Sequence, residues 1–234
     1  MTQDNFTRTL AVDIGGSGIK VIVLDQAGHP QTERSRVETP RPAIPNAVIA
    51  AIVELAVSQG DFDRVSVGFP GVVRDGITKT AVNLSPDWVE FDLATKLSNL
   101  LGKPVRVAND ADIQGFAAIS GHGVELLITL GTGFGSALFL DGKLVPNLEL
   151  GHHEFRHHKT YEQQLGRAAL DKAGKTKWNE RLEKAIASLQ SLFNYDYLYI
   201  GGGNAKKVSI ELPPNVKIVP NEDGLLGGIA LWRD

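Results

Sequence analysis

Apolar positions along this chain alternate between two periods. Residues 8–13 (RTLAVD) and 18–25 (GIKVIVLD) are strand-like runs joined by a glycine-rich turn, and a third short strand is expected near 32–37, so the chain opens as a meander. From 45 to 58 (PNAVIAAIVELAVS) an early proline precedes apolar residues at helical spacing, and RVSVGF at 64–69 reads as a buried strand. FDLATKLSNLLG predicts a helix closed by Gly102, followed by the strand PVRVA at 104–108. The second half repeats the theme: a helix over 110–120, strands in VELLITLG and FGSALFLDG, helices within 160–193, the strand YLYIGGG and a terminal helix near 223–232. Strands alternating with helices predict an α/β fold.

Composition narrows this picture. A chain of 234 residues, 42% hydrophobic and 22% charged, has apolar material for one large domain or two small ones. No low-complexity segment or linker marks a boundary, so motifs place it near residue 108. Residues 1–108 then form an N-terminal lobe, rejoined by 223–234, and 109–222 a C-terminal lobe. The chain has no cysteine, which excludes disulfides and thiolate zinc sites. MTQDNFTRTL lacks a charged-then-apolar leader, and no apolar run approaches the roughly 20 residues of a membrane span, so a cytoplasmic protein away from membranes is expected. A net charge of -3 argues against nucleic acid as a partner.

Three glycine clusters carry candidate chemistry. In Asp13-Ile-Gly-Gly-Ser-Gly18 the glycines let the backbone turn with positive φ and bring N–H groups close to a phosphate. Gly15, Gly16, Ser17, Gly18 and Lys20 are the phosphate-binding candidates, and Asp13 would hold Mg²⁺, directly or through water. A hairpin turn without a ligand explains the same residues. Leu130-Gly-Thr-Gly-Phe-Gly135 repeats the design with Gly131, Thr132 and Gly133, and a second such loop makes phosphate binding the better reading of both. Gly201-Gly-Gly-Asn-Ala-Lys206 follows a strand and is expected to start a helix, which makes Gly202 and Gly203 nucleotide or phosphate candidates; close strand–helix packing is the alternative.

Asn109-Asp110-Ala111-Asp112 lies where a strand ends and a helix begins. Either residue of the Asn109–Asp110 pair is a good helix cap, and Asp110 is also placed to accept a hydroxyl proton in phosphoryl transfer. Glu149-Leu-Gly-His152 offers an acceptor and a donor/acceptor separated by glycine, a set suited to adjacent sugar hydroxyls. His153, His157 and His158 nearby invite a metal reading, but without cysteine, and with EFR…KT looking like a solvated loop, no zinc is expected. Trp88, Trp178 and Trp232 are expected to be packing residues.

Taken together, DIGGSGIK, TPRP, GFPGVV, TAVNLSPDW, VANDAD, TLGTGFGSALFLDGKLVPN, ELGHHEF and IGGGNAK, in that order, resemble the ROK sugar kinases and within them the polyphosphate glucokinases. The resemblance covers most of residues 11–206. It implies an actin-like (ribonuclease H-like) two-lobed fold with the sugar in a cleft between lobes and Asp110 as general base. It also implies Asn109, Glu149 and His152 on sugar hydroxyls, Gly71 approaching the sugar by its backbone, and Glu162 completing the sugar site. Many relatives carry a Cys-rich zinc motif before that glutamate; its absence here matches the zinc-free branch. Relatives commonly form homodimers.

The function expected is phosphorylation of glucose to glucose 6-phosphate with polyphosphate, ATP or both as donor and Mg²⁺ on the phosphates. ATP-dependent phosphorylation of fructose, mannose or an N-acetyl hexosamine, phosphatase or ATPase chemistry, and a non-catalytic sugar sensor are the alternatives. The hydroxyl-reading cluster argues against a hydrolase and the intact Asp110 against a sensor. The chain lacks the helix-turn-helix extension of the repressor relatives, so transcriptional repression is not expected. The brief, Lys-rich segment 159–195 puts ATP in doubt as the preferred donor. A polyphosphate chain needs a basic path, which Lys172, Lys175, Lys177, Lys206 and Lys207 offer; a solvated helix face is the preferred reading of the lysine run itself.

Overall fold

The computed structural model describes residues 7–81, 84–220 and 223–233; residues 1–6 and Val82 and Asn83 of TAVNLSPDW lie outside the described residues. Two compact units emerge, one running to Ala117 and resuming at Gly224, the other spanning Ala118–Asp223.

The first unit contains β1 (Thr9–Ile14), β2 (Ile19–Leu24), β3 (Ser35–Val37), α1 (Pro45–Ser58), β4 (Arg64–Phe69), β5 (Val73–Arg74), β6 (Ile77–Thr78), β7 (Phe91–Asp92), α2 (Leu93–Leu101), β8 (Val105–Asn109) and α3 (Asp110–Ala118). Its main sheet has the order β3-β2-β1-β4-β8: the opening meander is antiparallel, whereas β1, β4 and β8 run parallel. Val12, Val21, Val65 and Val67 are buried on this sheet beneath α1, which contributes Val48, Ile49 and Ile52. Pro45 starts α1 where its missing N–H costs nothing, and Gly102, at φ 63, ends α2 in the left-handed conformation that glycine adopts without strain.

The second unit contains β9 (Val124–Leu130), β10 (Phe134–Leu140), β11 (Lys143–Val145), β12 (Glu154–Arg156), β13 (Lys159–Thr160), α4 (Tyr161–Leu165), α5 (Arg167–Ala173), α6 (Lys175–Phe193), β14 (Tyr197–Gly201) and β15 (Val216–Ile218). Its sheet order, β11-β10-β9-β14-β15, repeats the first: an antiparallel meander followed by two parallel additions. The same topology therefore occurs twice, each time with a glycine loop between its first two strands. Trp178, Leu182, Ile186 and Leu189 of α6 are buried against Leu126 and Ile128 of β9 and Leu198 of β14.

A short helix, α7 (Asp223–Leu226), continues as a 3-10 turn through Trp232 and packs on β1, β4 and β8. Gly227 sits so close to the Ile113 carbonyl that a Cβ has no room there. This packing keeps α3 with the first unit, so the division falls at the end of α3 rather than at residue 108. The expected terminal helix is α-helical only over its first turn. Trp88 and Trp178 are fully buried as expected, but Trp232 lies only partly buried against two cations, its ring centroid 5.0 Å from the Arg64 guanidinium carbon and 4.5 Å from that of Arg106. No helix among the described residues is long and apolar enough to cross a membrane.

Candidate functional site

In the first unit the carboxyl edge of the three parallel strands gathers the predicted residues. Asp13 pairs with Gly68 across β1 and β4, and Phe69 with Asn109 across β4 and β8, so Asp13, the Phe69–Gly71 turn and Asn109–Asp110 share one edge. Asn109 does the capping that the sequence left open between the two residues. Its Oδ1 accepts from the Ala111 N–H at 2.8 Å, and its Nδ2 donates to the Gly71 carbonyl at 3.1 Å. Asp110, half-buried as the first residue of α3, also accepts from the Ala111 N–H at 2.8 Å. A glycine makes the edge close enough at one point: a Cβ on Gly71 would collide with the Thr80 carbonyl.

The first glycine loop differs from expectation in its reason for glycine. Neither Gly15 nor Gly18 occupies the positive-φ region. At Gly15 space excludes a side chain, since a Cβ would lie 2.9 Å from the Gly18 carbonyl oxygen; at Gly18 a Cβ would meet only the end of the flexible Arg36 side chain, at 2.6 Å. Lys20 Nζ ion-pairs with Asp13 Oδ2 at 2.7 Å, and Thr39 Oγ1 donates to the Gly15 carbonyl at 2.5 Å. Arg36 escaped sequence reasoning. It pairs with Lys20 across β2 and β3 and donates to the Ser17 carbonyl at 3.1 Å, which places an exposed guanidinium against the loop. Arg36→Ala is expected to raise the KM for the phosphoryl donor about tenfold through loss of a charge-assisted contact, with the sugar KM unchanged. An unchanged donor KM in steady-state kinetics removes Arg36 from the site.

In the second unit the loop Gly131-Thr132-Gly133 connects β9 to β10, closed by the Gly131 N–H on the Gly133 carbonyl at 3.2 Å. Around it the structure brings together most of the other candidates. Glu162 of α4 accepts from the Phe134 N–H at 3.2 Å, so a predicted sugar ligand also anchors the end of the glycine loop. Gly151 packs against the Phe134 carbonyl where no Cβ fits. That contact explains the glycine between Glu149 and His152, whose carboxylate and imidazole lie 3.5 Å apart. Buried Ser136 fixes the segment further, accepting from the Leu150 N–H at 3.1 Å and donating to the Leu148 carbonyl at 2.8 Å.

Burial pushes the Glu149 carboxyl above its ordinary value; His152 opposes the shift and the Glu162 charge adds to it. The folded protein therefore holds that proton to higher pH than the unfolded chain, and the ionised carboxylate costs stability above the folded pKa. Glu149→Gln is expected to raise the thermal midpoint at pH 8, with the gain disappearing on acidification as wild-type Glu149 protonates. The same variant should bind sugar roughly five- to tenfold more weakly, because a charge-assisted acceptor becomes a neutral one. A lowered midpoint at pH 8 contradicts this account.

The third glycine cluster departs from expectation. Gly202, at φ 84, packs against the Leu130 backbone, where a Cβ would lie 2.5 Å from the carbonyl oxygen. Beyond it the chain forms only a 3-10 turn over Ala205–Lys207, so Gly202 and Gly203 do not open an α-helix. Asn204 turns back instead, donating from Nδ2 to the Gly131 carbonyl at 2.9 Å, and Val208 leaves the turn extended. The EFR…KT stretch is also not a bare loop. It forms the β12–β13 hairpin, with His157 and His158 both at positive φ in its two-residue turn. His158 lies 3.3 Å from Glu154, and among the described residues no three His, Asp or Glu side chains are grouped to hold a metal.

Comparison with known proteins identifies a family and a shared fold. The model of the ROK family matches residues 9–166. The polyphosphate glucokinase of Mycobacterium tuberculosis is 32% identical over 212 residues, covering 86% of this chain and 80% of the relative. The crystal structure of the inorganic polyphosphate/ATP-glucomannokinase from Arthrobacter sp. strain KM superposes with a TM-score of 0.88 at 34% identity, covering 97% of this chain and all of that one. A ROK family glucokinase from Streptomyces griseus, solved with glucose and AMPPNP, shares the fold at a TM-score of 0.78 and 22% identity, over 96% of this chain and 98% of that one. With the actin-like α/β topology duplicated in its two units and its glycine loops and ELGH segment in place, the chain belongs to the ROK family.

Proposed function

We propose that this protein phosphorylates glucose to glucose 6-phosphate with polyphosphate, ATP or both as donor. The observation that carries the reading is Asp110. It stands at the carboxyl edge of three parallel strands, where neighbouring Asn109 already caps α3, in a chain about one third identical to a polyphosphate glucokinase and a polyphosphate/ATP-glucomannokinase. Its carboxylate accepts the proton of the attacking hydroxyl as the oxygen bonds to phosphorus. Within the first unit the proposed groups are this base, the Gly71 backbone and the Gly15–Gly18 loop with Lys20 and Arg36. Within the second they are Glu149, His152 and Glu162, suited to sugar hydroxyls, and Gly131–Gly133, suited to phosphate, while Gly202 brings the backbone of β14 close to that loop.

Asp13 Oδ2 is ion-paired with Lys20, so Asp13 would hold Mg²⁺ through its other carboxylate oxygen, as this ion keeps several waters and takes phosphate oxygens alongside one or two protein carboxylates. When bound, Mg²⁺ neutralises charge on the donor oxygens. Mannose is a second acceptor supported by the name of the Arthrobacter kinase.

The deciding assay is sugar-phosphate formation by the purified protein with Mg²⁺, comparing polyphosphate and ATP at matched phosphate and glucose with mannose. Product from glucose and polyphosphate is the expected result. No product from either donor with any hexose overturns the proposal in favour of a sugar sensor.

A further inference from the structure

The protein carries a net charge of -3, yet one part of its second unit is wholly basic. No Asp or Glu occurs between Asp171 and Glu180 or between Asp196 and Glu211, while these stretches hold Lys172, Lys175, Lys177, Lys206 and Lys207. All five are exposed, and none forms an ion pair among the described residues. Distant in sequence, the two stretches are joined in space. Asn179 Nδ2 donates to the Lys175 carbonyl at 2.9 Å and to the Lys207 carbonyl at 3.1 Å, and Asn179 Oδ1 accepts from the Ser209 N–H at 2.8 Å. One buried amide thus fixes the start of α6 beside the Ala205–Lys207 turn.

Both arms of this surface begin at the Gly131–Gly133 loop. On one side Asn204 bonds the Gly131 and Leu130 carbonyls; on the other the Arg167 N–H bonds the Thr132 carbonyl at 3.2 Å, and α5 leads from there to Lys172 and Lys175. Each stretch also carries an open position, since a Cβ on Gly131, Gly174 or Gly203 would meet no atom within 4 Å. Lys177 points away from the buried side of α6, two residues from Lys175 and Asn179, and adds charge at the margin.

We infer that Lys175, Lys206 and Lys207, flanked by Lys172, hold the distal phosphates of a polyphosphate chain whose end lies in the Gly131–Gly133 loop. The inference rests on the donor reading above and specifies where a long donor is held. Charge complementarity selects this occupant: the loop takes phosphate, the five lysines leaving it are unpaired, and Asp171, the acidic residue of α5, is neutralised by Arg167 at 2.8 Å. Compact lysine ammonium groups on flexible stems suit a polyanion of repeating identical charge, with no fixed geometry demanded of each contact. Binding of this kind releases counterions and weakens as salt rises.

The test uses the triple variant Lys175→Gln/Lys206→Gln/Lys207→Gln beside a charge-matched control, Lys143→Gln/Lys159→Gln/Lys184→Gln. KM is measured for long-chain polyphosphate, tripolyphosphate and ATP across a salt series. The patch variant is expected to raise the KM for the long chain about tenfold at low salt and to flatten its log–log salt slope by about 2, taking about 0.7 per lost contact as for single-stranded nucleic acid. The KM values for tripolyphosphate, ATP and glucose should be unchanged, and the control should match wild type.

An unchanged long-chain KM overturns the inference while wild-type polyphosphate use keeps the donor reading intact. An equal rise with ATP, or with the control triple, also overturns it. A wild-type protein that uses ATP but no polyphosphate leaves the kinase reading standing and overturns the inference.

Discussion

Asp110→Asn lowers turnover by about 10²- to 10⁴-fold, the contribution ordinarily made by a positioned general base, with glucose affinity retained. The substitution preserves shape and keeps an oxygen to accept from the Ala111 N–H, which Asp110 now does at 2.8 Å. It also leaves the start of α3 intact, because Asn109 supplies the cap. Loss of the first-turn negative charge costs the helix at most about 1 kcal/mol, so the thermal midpoint should move little. The expected kinetic signature is an equal fall in kcat and kcat/KM for glucose, as for an interaction made only in the transition state. Turnover within tenfold of wild type eliminates Asp110 as the base. A kcat that survives with glucose affinity lost assigns Asp110 to binding alone.

The position of Asp110 was legible because strand and helix signals meet at Asn109. PVRVA reads as a strand, and NDAD carries the polar residues that begin helices, so a carboxylate at a sheet edge follows from local pattern. The same holds for α1, whose proline and apolar spacing define it without tertiary help, and for the two meanders with their glycine turns. The hidden features depend on contacts distant in the chain. Strands β5, β6 and β7 are two residues each, too short to show alternation. The β12–β13 hairpin turns through His157–His158, without the Asn-Gly or Asp-Gly pair that announces such a turn. Arg36 is one charged residue among several on a polar stretch of the sequence, and only the β2–β3 register sets it over Gly18. Gly201–Lys206 has the glycines of a phosphate-binding helix start, but Asn204 takes its bonds from the neighbouring loop and only a 3-10 turn forms.

Glu125→Ala is expected to destabilise the second unit by about 3–5 kcal/mol, because several neutral donors lose their acceptor at about 1–3 kcal/mol for each one left buried and unpaired. Glu125 is fully buried near the start of β9, inside the apolar run VELLITL, where an ionised carboxylate is costly unless every lone pair is occupied. Here they are. Oε1 accepts from the Ser120 N–H at 2.7 Å, the Ser120 hydroxyl at 2.9 Å and the Tyr199 hydroxyl at 2.8 Å; Oε2 accepts from the Gly121 N–H at 2.7 Å and the His122 N–H at 3.1 Å. Burial alone would raise its pKa, but bonds from Ser120, Tyr199 and Gly121 outweigh it and hold the carboxyl below its ordinary 4.5. Burial and the bond to Glu125 push the Tyr199 hydroxyl up to about 12, so that phenol remains a donor at working pH. A depressed folded-state pKa gives stability that is present above 4.5 and lost as pH falls through the folded value. Wild type should therefore lose stability on acidification below about pH 4.5, and Glu125→Ala should show a flatter acid limb from an already lower plateau. Glu125→Gln tests the charge itself, because an amide puts an N–H₂ where one set of donors needs an acceptor, and it should fall between the two. Denaturant unfolding of the three proteins from pH 3 to 8 decides the matter. The loop Gly131–Gly133 lies at the other end of β9, so folded variant protein should keep its turnover at temperatures where wild type and variant are both native. A Glu125→Gln protein as stable as wild type at pH 7, with the same acid limb, refutes this network as the anchor of the segment that enters β9.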